Sequence, residues 1–344
     1  MTTKKLLYIG SLIPEGTCLM RFKMLREIGY EVIPVNTTLF GEKFPRIIQA
    51  IQFRLCWGPS VWKLNNEIVR IAKEVKPEII WVDKGLWICS ETLKKIRNSI
   101  KTTIVHYNPD DPFGDFRKGW RAFIKAIPEY DIHFVPRDCN IKEYEDVGAK
   151  KVFRLYRGFD PNTHHPMPIS AKERENFGGE VGFIGSWEKE RADSLVFLAR
   201  QGIKIRIWGE GWNMAAHPNL IIENQALLGA DYAVGICSFD INLSFLRKGN
   251  RDMSTSRSIE IPACGGFMLT ERTDEHLALF EEGREAEFFG SDEELLDKVK
   301  YYLAHPEERK RIAAAGRERC LKSGYSYQDR LKRLLSVIET QQAV

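Results

Sequence analysis

Residues 250–266 read Asn-Arg-Asp-Met-Ser-Thr-Ser-Arg-Ser-Ile-Glu-Ile-Pro-Ala-Cys-Gly-Gly. Their types suit a phosphorylated ligand that carries a vicinal diol. Ser254, Thr255 and Ser256 precede a short helical pattern. They either satisfy its first N–H groups or leave those groups to a phosphate. Arg257 adds a planar, two-pronged donor. Glu260, on the short helix, can accept a pair of hydrogen bonds from a ribose diol. Asp252 stands on the preceding loop, with seven residues between the two, so both carboxylates can face one ligand. Ala263-Cys264-Gly265-Gly266 permits close approach of backbone.

Three other loops carry chemistry. Gly10-Ser11-Leu12-Ile13-Pro14-Glu15-Gly16 follows the first apolar run and leads into a helical pattern. Its glycines can turn backbone N–H groups toward a ligand at Gly10 and Ser11, or simply make the turn. The spacing is not G-x-G-x-x-G, so a dinucleotide fingerprint is missing. His106-Tyr107-Asn108-Pro109-Asp110-Asp111-Pro112 places polar and ionisable groups after another apolar run. Asp110 and Asp111 are adjacent and cannot act as a dyad. One can serve as a general base and the other as a cap, or both as turn residues. Gly185-Ser186-Trp187-Glu188-Lys189-Glu190-Arg191 joins a glycine to two cations at a helix start, which suits phosphate.

The elements that must hold these loops alternate along the chain. Apolar runs predict strands at Lys5–Ile9, Glu31–Val35, Ile79–Val82, Thr102–Tyr107, Ile132–Val135 and Val152–Leu155. Residues 160–180, rich in proline and closed by Gly-Gly, read as a linker. Strands resume at Val181–Ile184, Lys204–Trp208, Leu220–Ile222, Asp240–Leu243, Phe267–Thr270 and Ala286–Phe289, with helices between. Short buried strands separated by helices mean parallel sheets. The reading is α/β, with two doubly wound Rossmann-like domains facing a cleft: 1–165 and 166–325. A last helix over 326–344 packs back on the first domain. In such folds ligands sit at the carboxyl ends of the strands.

Composition sets outer limits. The 344 residues are 43% hydrophobic and 28% charged, ordinary for a globular chain, with a net charge of +4. That excess is too small to imply nucleic acid. The nearest two of the seven cysteines are 27 residues apart, which argues against a disulfide framework and against structural zinc. The expected compartment is reducing and cytoplasmic. No run approaches the length of a membrane span. Residues 43–63 join Arg46, Arg54, Lys63, Trp57 and Trp62 to an apolar face at Ile47, Ile48, Ile51 and Leu55. They read either as a core helix or as a contact with the inner face of a membrane. Phe116–Phe123 has the same ambiguity. His164 and His165 read as solvent-exposed.

The stretch SRSIEIPACGGFMLTERTDEHLALFEEGREAEFFGSDEEL, with HPEERKRIAAAGRERC after it, resembles CgeB-like, spore-maturation-type glycosyltransferases. That family is related to the large retaining group-1 (family-4) transferases of GT-B fold. The likeness spans about residues 80–335 and is strongest over 254–295. It implies transfer of a sugar from a nucleoside-diphosphate sugar to an acceptor hydroxyl, with retention and without a metal or other cofactor.

By the same resemblance Glu260 matches the second glutamate of the E-x7-E motif, which holds the ribose. Asp252 takes the place of the first, near the donor sugar, and is one methylene shorter. Gly185 matches the glycine after the domain's first strand. Ser186 stands where an arginine is expected, and Arg191 stands where a lysine is. Lys189 or Arg257 can supply the missing cation. His106 resembles a histidine that touches the donor sugar and can offer its backbone carbonyl to the reacting centre. If the enzyme inverts, Asp110 or Asp111 becomes the base. The sequence contains no Asp-x-Asp, so cations and helix ends must stabilise the diphosphate. The acceptor is open: a glycan, a lipid-linked glycan, a protein or a small molecule. Rival readings are a nucleotide-sugar epimerase or hydrolase, and a non-catalytic sugar- or partner-binding relative.

Overall fold

The computed structural model describes residues 4–40, 44–115, 117–214 and 216–342. They form two compact units. The first comprises 1–156, 249–251 and 327–344; the second comprises 157–248 and 252–326.

The first unit contains β1 (Lys5–Gly10), α1 (Thr17–Glu27), β2 (Glu31–Asn36), α2 (Arg46–Leu55), α3 (Pro59–Val75), β3 (Ile79–Asp83), α4 (Ser90–Arg97) and β4 (Thr103–Tyr107). It continues with α5 (Arg121–Ala126), β5 (Ile132–Val135), α6 (Asp138–Asp146) and β6 (Val152–Arg154). The sheet is parallel in the order β2-β1-β3-β4-β5-β6. Both faces are covered, so successive strand residues enter different cores. Leu6 and Tyr8 join Trp81 on one face. Leu7 and Ile9 join Ile80 and Val82 on the other.

The second unit contains α7 (Ala171–Phe177), β7 (Gly179–Ile184), α8 (Lys189–Arg200), β8 (Ile205–Trp208), β9 (Leu220–Ile222), α9 (Gly229–Ser238) and β10 (Phe239–Ser244). After these come α10 (Arg257–Ala263), β11 (Met268–Glu271), α11 (Asp274–Leu279), β12 (Glu287–Phe289), α12 (Asp292–Ala304) and α13 (Pro306–Lys322). Its sheet is also parallel, in the order β12-β11-β10-β7-β8-β9. The final helix, α14 (Tyr327–Gln342), belongs to the first unit, where Leu331, Leu334, Leu335 and Ile338 are buried on the Leu6–Tyr8 face.

Residues 160–180 are not a bare linker. Ser170 accepts from the Glu173 amide while the Glu173 carboxylate accepts from the Ser170 amide. This capping box starts α7 within the proline-rich stretch.

Each sheet has a switch point, where the order of strand addition reverses. In the first unit it falls between β1 and β3, and in the second between β7 and β10. Connections there leave in opposite directions and open a crevice at the carboxyl ends.

Beside the first switch point a charged pair lies in the core. Arg21 Nε and Nη2 donate to Asp83 Oδ2 and Oδ1 at 2.7 and 3.0 Å. The Tyr8 hydroxyl donates to Oδ2 at 2.7 Å. Both charged side chains are sealed from solvent, and the guanidinium lies over the Tyr107 ring. Removing one member strands the other charge. Asp83→Ala is expected to cost about 3–5 kcal/mol of unfolding free energy, read from the urea midpoint. A change within about 0.5 kcal/mol would mean that the pair carries no structural weight.

Candidate functional site

The second unit's switch point gathers several of the residues singled out by sequence. Gly185 and Ser186 leave β7, and their backbone packs tightly on the next loop. The Gly185 amide donates to Trp208 O at 2.8 Å, and the Trp212 indole donates to Gly185 O at 2.9 Å. Gly209, at φ +144°, passes so close that a Cβ there would fall 2.1 Å from Gly185 O. Only glycine fits.

Arg191, in the first turn of α8, is buried across this crevice. Its Nη1 donates to Ser186 O at 3.1 Å and its Nε to Leu246 O at 3.4 Å. One guanidinium thus ties the loop after β7 to the loop after β10. Its Nη2 lies 3.7 Å from Glu188, beyond hydrogen-bond reach, and makes no hydrogen bond among the described residues. Arg257 approaches from α10. Both guanidinium groups lie about 6 Å from the Phe183 ring, at 5.9 and 6.0 Å. Arg257 Nε is buried without a hydrogen-bond partner among the described residues. Burial first, and then the charge of Arg257, pull the Arg191 pKa down to about 10. Two cations lie near one aromatic ring, each with an unmet donor, and that arrangement calls for an anion.

Glu260 lies in the same short helix as Arg257, and its side chain is buried. The Tyr232 hydroxyl donates to its Oε2 at 2.7 Å. Oε1 stands 4.0 Å from His164 Nε2. A carboxylate has about four lone-pair positions, so Tyr232 leaves room for further donors. Burial and the Glu260 charge push the Tyr232 phenol well up, so it stays a donor. His164 is buried, not exposed. Its Nδ1 accepts from the Asp160 amide at 2.9 Å, and its ring meets Tyr232 edge-on. His165 is only partly exposed.

Asp252 has different company. Arg157 Nη2 donates to its Oδ1 at 2.9 Å, and Arg157 also donates to Ser254 O. The Ser254 hydroxyl bonds Glu275. The Thr255 amide donates to Ser258 Oγ at 2.9 Å, and that hydroxyl meets His276 Nε2 at 2.7 Å. The loop's hydroxyls therefore bond largely to protein, and Ser256 caps α10 through its backbone alone. Lys189 does not reach the crevice side. It is exposed and paired with Asp193 at 2.6 Å, one helical turn on.

Several first-unit expectations change more sharply. His106 cannot touch a ligand through its ring. It is fully buried in β4, stacked among Phe123, Tyr130 and Tyr144, with Nδ1 3.1 Å from His133 Nδ1. Asp111 is a tie rather than a base. It accepts from Arg251 at 2.6 and 3.0 Å, from Asn140 at 2.9 Å and from the Phe113 amide at 2.9 Å. Burial pushes its carboxyl up, but these donors outweigh that and hold it below its ordinary value. Asp110 pairs with Lys84 at 2.6 Å and keeps a quarter of its side chain exposed.

Gly10 ends β1, and a Cβ there would press on Tyr8 at 3.0 Å. Ser11 lines a cavity of about 300 Å³ beside the first switch point, with Thr37, Thr38, Asp83, Lys84 and Trp87. Residues 43–63 do not form a core helix, since the apolar face of α2 is exposed. The side chains of Arg46, Arg54, Phe116, Arg117 and Lys118 lie outside the described residues.

Sequence reasoning missed Arg157, Tyr232 and Arg251. The first two are single residues in otherwise unremarkable segments. Arg251 had been read with the 250–266 run. Its bonds to Asp111 and Glu143 instead place it, at φ +49°, in the first unit. Among the described residues no group of three or more His, Cys, Asp or Glu could hold a metal ion.

Residues 191–336 match the sequence profile of a family described as "Glycosyl transferase-like". No curated protein matches the chain in sequence. Solved structures do match it. Sucrose-phosphate synthase from Thermosynechococcus elongatus aligns with a TM-score of 0.71 at 11% identity, over 99% of each chain. HepE from Anabaena, crystallised in complex with UDP-glucose, aligns at 0.67 and 13%, over 98% of this chain and 99% of its own. α,α-Trehalose 6-phosphate synthase from Burkholderia multivorans aligns at 0.65 and 9%, over 100% and 99%. At these identities the likeness establishes the fold: two parallel six-stranded sheets with helices on both sides, as in GT-B glycosyltransferases.

The buried histidine pair has a consequence for pH. Burial lowers both rings, His133 to about 4 and His106 well below its ordinary value. Unfolded histidine titrates near about 6.5. Below that the unfolded chain binds protons the native rings refuse. Stability is therefore full above pH ~6.5 and falls toward pH ~4, by up to about 1.4 kcal/mol per pH unit for each ring. Ring NMR is expected to show His106 and His133 still neutral at pH ~5.5. Ordinary titration of all seven would refute this placement.

Proposed function

We propose that this chain is a glycosyltransferase of the CgeB-like type. It would take a hexose from a nucleoside-diphosphate sugar and attach it to an acceptor hydroxyl. The observation that carries the reading is the pair Arg191 and Arg257 at the second switch point, each with a buried donor left unmet, beside a buried glutamate. A diphosphate leaving group needs fixed positive charge that strengthens as the glycosidic bond breaks. Two guanidinium groups near the Phe183 ring would supply it without a metal. Glu260 would hold the ribose, with Tyr232 and His164 fixing the carboxylate. Asp252, bonded to Arg157, would stand on the sugar side.

The glycosyl transferase-like profile over 191–336 covers all of these except Arg157, Gly185, Ser186 and His164. UDP-glucose in HepE supports a uridine donor among the candidates. Retention rests on kinship with group-1 transferases. With His106 buried and Asp111 held by Arg251, Asp110 is left as the base an inverting enzyme would need. The cavity at Ser11, Thr37 and Thr38 would receive the acceptor. A reducing, cytoplasmic setting agrees with seven free cysteines.

The test is calorimetry with UDP and with GDP. The folded chain is expected to bind one of them. Glu260→Gln and Arg257→Ala should each weaken it about 10- to 100-fold, or roughly 1.4–2.8 kcal/mol, at unchanged melting temperature. Unchanged affinity in both variants would remove the assignment. Activity that persists in excess chelator supports the metal-free part, and its loss would overturn it. Conversion of donor without any acceptor would favour an epimerase or hydrolase.

A further inference from the structure

Helix α2 exposes its described apolar residues. Ile47, Ile48, Ile51 and Leu55 share a face and are 42–76% exposed. Among the described side chains of α2 the buried one is Gln52, whose Oε1 accepts from the Ser60 amide at 2.9 Å and pins the start of α3. A surface helix normally buries its apolar stripe. The exposed surface extends to Trp57 and Trp62, which are stacked edge-on at 4.9 Å and are 62% and 47% exposed. Leu39, also exposed, lies on the 3-10 turn Thr37–Phe40, which packs against α3. That turn lines the 300 Å³ cavity through Thr37 and Thr38. At the far end of α2, the Cys56 thiol lies 3.5 Å from Leu86 O, and Leu86 lines the same cavity.

Charge decides what covers this face. From 43 to 66 the sequence holds four basic residues and no acid. Residues 116–128 hold four more, again with no acid. The two stretches are far apart in sequence, but the 3-10 turn Arg117–Trp120 packs against α2. Lys63 and Arg121 are exposed. A second copy of this face would set positive charge against positive charge, which disfavours a symmetric dimer. Exposed isoleucine and leucine, a tryptophan pair, exposed Lys63 and Arg121 and two basic sequence stretches fit the interface of an anionic bilayer.

We propose that the exposed face of α2, with Trp57 and Trp62, docks the first unit on a membrane rich in anionic lipid. The mouth of the Ser11–Thr38 cavity then lies beside the lipid surface. This docking does not depend on the donor assignment. The experiment is flotation of the purified full chain with vesicles of phosphatidylcholine alone or mixed with phosphatidylglycerol. The chain is expected to float with the mixed vesicles at least about tenfold more than with phosphatidylcholine, and high salt should reduce this. The exposed double substitution Ile51→Glu/Leu55→Glu should abolish flotation at unchanged melting temperature and nucleotide affinity. Lys63→Glu should weaken it. Absent flotation of the wild type, or equal flotation of the double variant, would overturn the proposal. So would a wild-type dimer that the double variant makes monomeric. Nucleotide affinity, measured on the same samples, reports separately on the glycosyl-transfer reading.

Discussion

The second unit is organised around a charge that its own residues do not fully satisfy. Arg191 is buried at the switch point, where its guanidinium bonds the carbonyls of Ser186 and Leu246 and so joins the loops leaving β7 and β10. A buried cation is costly unless it is paired and hydrogen-bonded. Here Glu188 lies beyond hydrogen-bond reach, and a second cation, Arg257, adds repulsion instead of relief. The crevice therefore has a preformed demand for negative charge. The geometry is rigid: Gly209 lets the neighbouring loop lie against Gly185, and Phe183 backs both guanidinium groups. A site preorganised in this way spends little on rearrangement when an anion arrives.

The first unit shows the opposite electrostatic state. Its charged groups are closed against one another. Arg21 and Asp83 form a bidentate pair completed by Tyr8. Asp111 and Glu143 share Arg251. His106 and His133 meet inside an aromatic cluster that keeps them neutral. The cavity at its switch point has a mostly apolar wall, with Ile9, Leu86, Trp87 and Ile88, joined by the hydroxyls of Ser11, Thr37 and Thr38 and by Lys84, which is paired with Asp110. The two units share one architecture but present different chemistry at corresponding strand ends.

Much of the fold was legible because parallel strands are buried on both faces. Each reads as a short apolar run, and all twelve strands among the described residues lie where such runs occur. The failures have specific causes. α7 hides in a proline-rich stretch because its stability comes from the Ser170–Glu173 capping box and not from an apolar stripe. His106 looked available because it begins a polar loop, but it lies within β4, whose two faces are both covered, and its ring is buried. Lys189 looked like a phosphate ligand by spacing, and the i,i+4 partner Asp193 occupies it instead. α2 carried the pattern of a core helix, and that pattern does not say whether the apolar face is covered.

The sequence by itself determined the alternation of strands and helices, the break between two sheets and the residue types at the second switch point, Arg257 and Glu260 above all. These are local properties: periodicity, turn chemistry and short spacing act within a few residues. Only the tertiary structure decided which charges meet. Arg157 reaches Asp252 across 95 positions, Arg251 reaches Asp111 across 140, and Tyr232 reaches Glu260 across 28. Parallel sheets bring distant strand ends to one edge, so a side chain's partner is set by crossover connections and not by neighbours in sequence. That is why the residue types at the site were readable in advance, while their pairing, burial and remaining unmet charge were not.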